Sequence, residues 1–254
     1  MRFARLPAWP SVASVPDAIF AEPRLAAVYD LFDGERDDLD AYLAIAAERG
    51  ARHVLDVGCG TGSLAVLLAE RGHLVTAVDP AQASLAVARS KDPDARVTWR
   101  HGEAASLPAV GADLAVMTGN VAQVFLSDAE WQAALRGVGR ALRPGGSFVF
   151  ETRRPERKGW EEWPTAPVTK AGVQQQLELT RVAMPYLSFR HTYRFLADGT
   201  VLTSASTLRF RDPDELTRGL LAEGFEVVDV RDAPDRPGLE FVFVTIWTGA
   251  ITRP

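Results

Sequence analysis

Cysteine is almost missing from this chain. The one thiol, Cys59, excludes an intramolecular disulfide and any multi-cysteine metal centre, and no metal site is expected. Set among glycines, Cys59 reads as a small turn residue rather than a reactive thiol. Long apolar runs are missing too: none approaches the ~20 residues a membrane helix needs. The first twenty residues hold Arg2, Arg5, Asp17 and three prolines, without the continuous apolar core of a secretory signal. The expected setting is therefore the cytoplasm, with no membrane partner. Positive charge is not in excess. Lys and Arg number 28 against 33 Asp and Glu, a net charge of −5, which speaks against a broad nucleic-acid surface. Internal repeats and low-complexity segments are absent. What remains is 47% apolar and 24% charged, the composition of a globular chain able to fill a core, and 254 residues is long but acceptable for one domain.

The informative stretch is Val54-Leu-Asp-Val-Gly-Cys-Gly-Thr-Gly62. An apolar, β-branched run from His53 to Val57 predicts a buried parallel strand. Gly58, Gly60 and Gly62 follow at alternate positions, and Ser63 to Glu70 has helical composition with an apolar face. Strand, glycine turn and helix make a nucleotide-binding unit, because glycine accepts positive φ and lets a ligand approach the backbone. Asp56 ends that strand and aims a carboxylate at the same crevice. Leu74 to Val78 predicts a second strand, ending in Asp79. An acid at that tip can accept hydrogen bonds from both hydroxyls of a ribose. As a crevice group, it would matter little for folding.

Those residues together resemble the class I S-adenosylmethionine-dependent methyltransferases, whose loop reads Asp-x-Gly-x-Gly-x-Gly, as Asp56 to Gly62 does here. A dinucleotide fingerprint would want glycine where Ser63 stands. The resemblance implies an α/β, doubly wound, Rossmann-like sheet of seven strands, the last two forming an antiparallel edge. It implies S-adenosyl-L-methionine as cofactor and S-adenosyl-L-homocysteine as product. It also implies a cofactor site of Asp56, Gly58, Cys59, Gly60, Gly62, Asp79 and Pro80, with Glu103 and Ala104 at the adenine. Glu103 is one methylene longer than the family's usual aspartate. Thr118, Gly119 and Asn120 would lie against the methionine part, and Gln123 or Phe125 near the transferred methyl; Asn120 could equally be a simple turn residue. Tyr29-Asp30 stands where relatives close over the site, although Tyr29 could instead pack in the core. Leu142-Arg-Pro-Gly-Gly146 before the fifth strand is a further family feature, structural in character.

The chain divides by pattern into an N-terminal arm and cap helices (1–50), a cofactor-binding core (51–151), an antiparallel β insertion (152–211) and the rest of the core sheet (212–254). Residues 1–23 read as an irregular arm, 25–32 as a short helix and 37–49 as a longer one. In the insertion, Val173–Ala183, Ser188–Leu196 and Thr200–Arg211 predict strands with one wet face, and Asp198-Gly199 a hairpin turn. An insertion of ~60 residues is long for a plain loop and suggests a lid. Its edge strands could instead pair with a second copy as a homodimer.

Methyl transfer from a sulfonium needs positioning above all, with a base where the nucleophile carries a proton. Glu151, at the end of strand five, is the first candidate base, followed by His191 and Tyr29; Glu151 could alternatively pair with Arg153 or Arg154. Gln123, Trp160, Trp163 and Tyr186 are candidates for holding the acceptor, the two tryptophans being equally readable as a packed pair. Three functions remain open. The first is a methyltransferase acting on a small molecule by O- or N-methylation. The second modifies RNA or protein, using Arg153, Arg154, Arg157 and Lys158. The third binds S-adenosylmethionine without methylating.

Overall fold

The computed structural model describes residues 16–34, 36–163 and 165–249. Residues 1–15, most of the arm, lie outside that range. Four helices open the described chain: α1 (Ala18–Ala21), α2 (Pro23–Ala26), α3 (Tyr29–Asp33) and α4 (Asp38–Glu48). The arm is thus partly helical, and the helix expected over 25–32 is two short pieces. The core follows as β1 (His53–Val57), α5 (Ser63–Glu70), β2 (Leu74–Asp79), α6 (Gln82–Ser90), β3 (Val97–His101), β4 (Ala112–Met117), α7 (Asp128–Ala141) and β5 (Leu142–Arg153). A second set of strands, β6 (Val168–Lys170), β7 (Val173–Ala183), β8 (Tyr186–Phe195) and β9 (Val201–Arg209), precedes α8 (Pro213–Ala222), β10 (Phe225–Asp232) and β11 (Glu240–Trp247).

The first sheet runs in the order β3-β2-β1-β4-β5-β11-β10. Its first five strands are parallel, while β11 is antiparallel to both β5 and β10. Chain order reverses between β1 and β4, so a crevice opens at their carboxyl ends. Strand periodicity sorts the side chains into two layers. Val54, Leu114, Val116, Val149, Val242 and Val244 meet α4 and α5 on one face. Leu55, Val57, Ala115, Met117, Phe148, Phe150 and Phe243 meet α7 and α8 on the other. At about 1.5–3 kcal/mol for each large side chain buried, these layers are the main store of stability. β5 begins earlier than expected: Arg143-Pro-Gly-Gly146 forms a bulge, where the register with β4 shifts between Ala112–Leu142 and Leu114–Ser147.

The insertion is a separate antiparallel sheet, β6-β7-β8-β9. Its β6 escaped the sequence pattern because three residues are too few to show alternation. One face carries Glu178, Arg190, Arg194 and Thr203. The other carries Leu187, Phe189, His191, Tyr193 and Phe195 of β8, opposite Leu208, Ser206, Ser204 and Leu202 of β9. Both ends of this inner face are covered. Tyr193 and Phe195 pack with Ile19, Leu25 and Phe32 of the cap helices, and Leu187 and Leu208 pack with Trp160 and Phe210. Polar ties fasten the sheet. The Ile19 N–H donates to Ser204 Oγ at 2.9 Å, and Lys170 Nζ to the Leu31 carbonyl at 3.0 Å. On the far side, Arg211 Nη2 donates to the carbonyls of Phe125 and Ser127 at 2.8 and 3.0 Å. Burial beside Arg209 lowers the Arg211 guanidinium to about 10, so it stays charged at neutral pH.

The sheet is thus clamped between the cap helices and the loop after β4. α7 reaches that end of the core through a glycine: a Cβ on Gly137 would stand 1.8 Å from the Ala104 carbonyl oxygen. Backbone cannot withdraw as a flexible side chain can. Gly137→Ala is expected to destabilise the fold by about 1–3 kcal/mol, read as a lower urea midpoint at unchanged slope.

Candidate active site

The crevice between β1 and β4 is built first from backbone. Gly58, Gly60 and Gly62 have φ of +74°, +53° and +81°, a region that costs other residues roughly 1–2 kcal/mol. Space adds to the demand at two of them. A Cβ on Gly58 would meet Val121 at 2.7 Å, and one on Gly62 would meet the Trp99 ring at 2.5 Å. At Gly60 and Gly119, by contrast, a Cβ would find nothing within 4 Å, so both loops border open space.

Asp79 ends β2 and is tied into this loop. Its Oδ2 accepts from the Gly60 N–H at 2.8 Å and its Oδ1 from the Ala81 N–H at 2.7 Å. The carboxylate is therefore a structural part of the turn as well as a crevice group, against the expectation that it matters little for folding. Burial raises its pKa in spite of those donors. Asp56 lies 1% exposed with Oδ1 unpartnered. Burial, reinforced by Asp79, pushes it up to about 7. Cys59 is half-buried, and burial raises its thiol well above the usual range, so it is no thiolate at neutral pH. Pro80 is half-buried, and its carbonyl lies 2.9 Å from His101 Nε2. Glu103 is exposed and Ala104 half-buried, in a short 3₁₀ turn.

Asp30 in the cap helices accepts from Thr61 Oγ1 at 2.5 Å and pairs with Lys91, latching α3 to the glycine loop. Its neighbour Tyr29 is packed against Phe20 at 5.4 Å, and burial keeps its phenol protonated.

Beyond β4, Thr118 is half-buried and Gly119 exposed, and Asn120 is left-handed with φ of +61°. That conformation is held from two sides. The Asn120 N–H donates to Glu151 Oε1 at 3.0 Å, and its Nδ2 donates to Glu240 Oε1 at 3.0 Å. Glu151 Oε2 accepts in turn from the Tyr42 hydroxyl. Glu151 is 1% exposed, and burial together with Glu240 raises its pKa. With both oxygens engaged, its evident task is to hold the Asn120 loop; it does not pair with Arg153 or Arg154 directly. Arg153 turns instead to Gln123, donating from Nη1 to Oε1 at 3.0 Å, with its guanidinium 5.4 Å from the Trp163 ring.

The remaining candidates divide. His191 is half-buried on the inner face of the second sheet, between Phe189 at 5.4 Å and Tyr193 at 6.0 Å, and burial lowers its pKa. Trp163 meets Phe189 edge-on at 5.3 Å, on the same side. Trp160, 4% exposed, packs on Phe210 as core of the insertion. Tyr186 gives its hydroxyl to the Leu126 carbonyl at 3.1 Å and so serves as an anchor. Sequence reasoning missed Tyr42 and Glu240. Tyr42 looked like one more apolar residue on a helix face, and Glu240 like the start of an edge strand. Tyr42→Phe leaves Glu151 Oε2 buried without its donor and is expected to cost about 1–3 kcal/mol, measured by chemical denaturation at neutral pH.

Comparison with known proteins agrees with this architecture. Residues 54–146 match the family model of a methyltransferase domain. The ubiquinone/menaquinone biosynthesis C-methyltransferase of Rubrivivax gelatinosus is 34% identical over 108 residues, 42% of this chain and 42% of that protein. The malonyl-[acyl-carrier protein] O-methyltransferase of Serratia marcescens is 28% identical over 204 residues, 79% of this chain and 75% of that protein. The first curated relatives are matched over only about half of their own length. Among solved structures, CalS10, an amino pentose methyltransferase from Micromonospora echinaspora, superposes with a TM-score of 0.68 at 24% identity, covering 87% of this chain and 97% of that one. With its strand order, its glycine crossover and the match over residues 54–146, the chain contains a methyltransferase domain and has the fold of the class I S-adenosylmethionine-dependent methyltransferases.

Proposed function

We propose that this protein moves a methyl group from S-adenosylmethionine to an oxygen or nitrogen of a small-molecule acceptor. The observation that carries the reading is Asp79, locked by two backbone N–H groups at the rim of an open glycine turn. Each of its oxygens keeps a lone pair for a ribose hydroxyl. The residues fit the cofactor in another respect: Asp56 Oδ1 is a buried polar atom without a partner beside the crevice. Gly58, Cys59, Gly60 and Gly62 would cradle it, with Pro80, Glu103 and Ala104 toward the base and Thr118, Gly119 and Asn120 toward the amino acid. Bound there, the cofactor supplies an electrophilic methyl on a sulfonium.

Three features favour a small acceptor. The second sheet is tied to the cap helices and to residues 125–127 of the loop after β4, which supports reading it as a lid on the crevice. The names of the relatives above concern ubiquinone/menaquinone biosynthesis, malonyl-[acyl-carrier protein] and an amino pentose. The basic run that could meet phosphate is largely spent, since Arg153 turns inward to Gln123 and Arg154 lies over Phe241 at 3.9 Å and pairs with Asp232. No helix among the described residues is long and apolar enough to cross a membrane.

For proton removal the geometry favours His191 over Glu151. Glu151 is 1% exposed and held by Tyr42 and the Asn120 N–H, and Tyr29 keeps its proton, whereas a half-buried imidazole of lowered pKa is neutral at pH 7 and can accept one.

Two outcomes test this reading. Calorimetry should detect S-adenosylhomocysteine binding and none of NAD. Asp79→Ala should weaken it by about 1.5–3 kcal/mol; unaltered affinity in a folded variant would remove the assignment. The second concerns His191. Its lowered pKa means that protonation occurs only below the ordinary value of about 6.5. Proton NMR titration should place its midpoint on that acid side, identified by the resonance lost in His191→Gln. A midpoint above 6.5 contradicts the neutral-base role.

A further inference from the structure

We propose that Asn120, Gln123, Arg153 and Glu240 form the acceptor subsite, and that it takes a neutral polyhydroxylated ring. This rests on the methyl-transfer reading and names its substrate class.

The four side chains form one connected cluster at the ends of β4, β5 and β11. Asn120 Nδ2 donates to Glu240 Oε1 at 3.0 Å, Glu240 lies 3.8 Å from Arg153 Nε, and Arg153 Nη1 donates to Gln123 Oε1 at 3.0 Å. Asn120, Gln123 and Glu240 are 2%, 1% and 1% exposed. Yet each has one polar atom without a partner: Asn120 Oδ1, Gln123 Nε2 and Glu240 Oε2. Native interiors tolerate few such atoms, and three in one cluster call for an occupant. The amide orientations follow from chemistry. A flipped Gln123 would set its NH₂ against a guanidinium, and a flipped Asn120 would set its oxygen against a carboxylate.

The open valences are mixed. Asn120 and Glu240 ask for donors, and Gln123 offers one. Hydroxyl groups satisfy both demands at once, since each donates one hydrogen bond and accepts others. Charge narrows the class further. Glu240 and Glu151 are balanced by Arg236, whose Nη1 lies 3.1 Å from Glu240 Oε1, and by Arg153. An added net charge would enter a desolvated site without a counter-ion. Trp163, next to Arg153 and edge-on to Phe189, adds an aromatic side chain beside the cluster, and sites for small molecules are commonly lined in this mixed way.

The test is saturation-transfer NMR on the full chain loaded with S-adenosylhomocysteine. The probes are the methyl glycosides of D-glucose, D-xylose and N-acetyl-D-glucosamine, each with its deoxy analogues, against catechol and benzoate. At least one glycoside should bind, and removing a hydroxyl that the cluster reads should weaken it by about 10²-fold or more. Gln123→Leu should abolish that binding. Gln123→Glu, which keeps the side chain's size and an acceptor for Arg153 but replaces the Nε2 donor with an acceptor, should do the same while S-adenosylhomocysteine affinity is retained, a readout that loss of structure would not spare. Binding of catechol or benzoate alone, of no probe at all, or of a glycoside indifferent to Gln123→Glu overturns the proposal. Calorimetry on the same samples separates the two readings. Absence of S-adenosylhomocysteine binding in the unsubstituted protein defeats the methyl-transfer reading, whereas intact binding with a negative glycoside result defeats only this one.

Discussion

A carboxylate buried at the end of a central strand has to be answered by donors, and the way Glu151 is answered shapes the reactive end of the molecule. Tyr42 reaches it from α4, a helix that precedes the core in sequence, and the Asn120 N–H reaches it from the loop after β4. Through Asn120 the same network extends to Glu240 on β11, and through Glu240 to Arg153 and Arg236. Segments more than a hundred residues apart are thereby held in register by groups that cannot be left unpaired in a medium of low polarity. The left-handed turn at Asn120 would be costly alone; here the surroundings over-determine it.

The second sheet depends on the same end of the core. Its inner face is apolar at both extremes and polar in the middle, where His191 of β8 lies opposite Ser204 of β9. The apolar extremes bury themselves against the cap helices and against Trp160 and Phe210. In the polar middle, Ser204 is closed by the Ile19 N–H and His191 lies between Phe189 and Tyr193. Its attachment by Arg211 to the carbonyls of Phe125 and Ser127 fastens the sheet to the loop after β4. Cofactor and acceptor would then be handled by different parts of the chain, one by glycine-rich backbone and the other by side chains of the insertion and of β5 and β11.

The core was legible because its signals are local. A β-branched run, alternate glycines and an acid at a strand tip all fall within a few residues of one another, and each has a backbone cause: positive φ at Gly58, Gly60 and Gly62, and full burial of Val54 and Leu55. The start of α7 has an equally local cause, the capping box that Ser127 forms with Glu130. Strands β7 to β9 were readable from alternation and from the Asp198-Gly199 turn. The roles of Glu151, Tyr186 and Trp160 were not readable in the same way. A glutamate at a strand end, a tyrosine near a hairpin and a tryptophan in a polar run are each compatible with catalysis, anchoring or packing. Only their partners, Asn120 and Tyr42, the Leu126 carbonyl, and Phe210, separate those uses.

By itself, then, the sequence determined which segments become strands and helices and where the backbone must bend. It also marked out a nucleotide-type crevice, since dihedral preference and hydrophobic period act between near neighbours. Tertiary structure alone decided which polar side chains share a cavity, because Tyr42, Asn120, Arg153 and Glu240 meet only after the sheet has brought β4, β5 and β11 side by side. Buried charges are settled by partners distant in sequence, and no local pattern announces them.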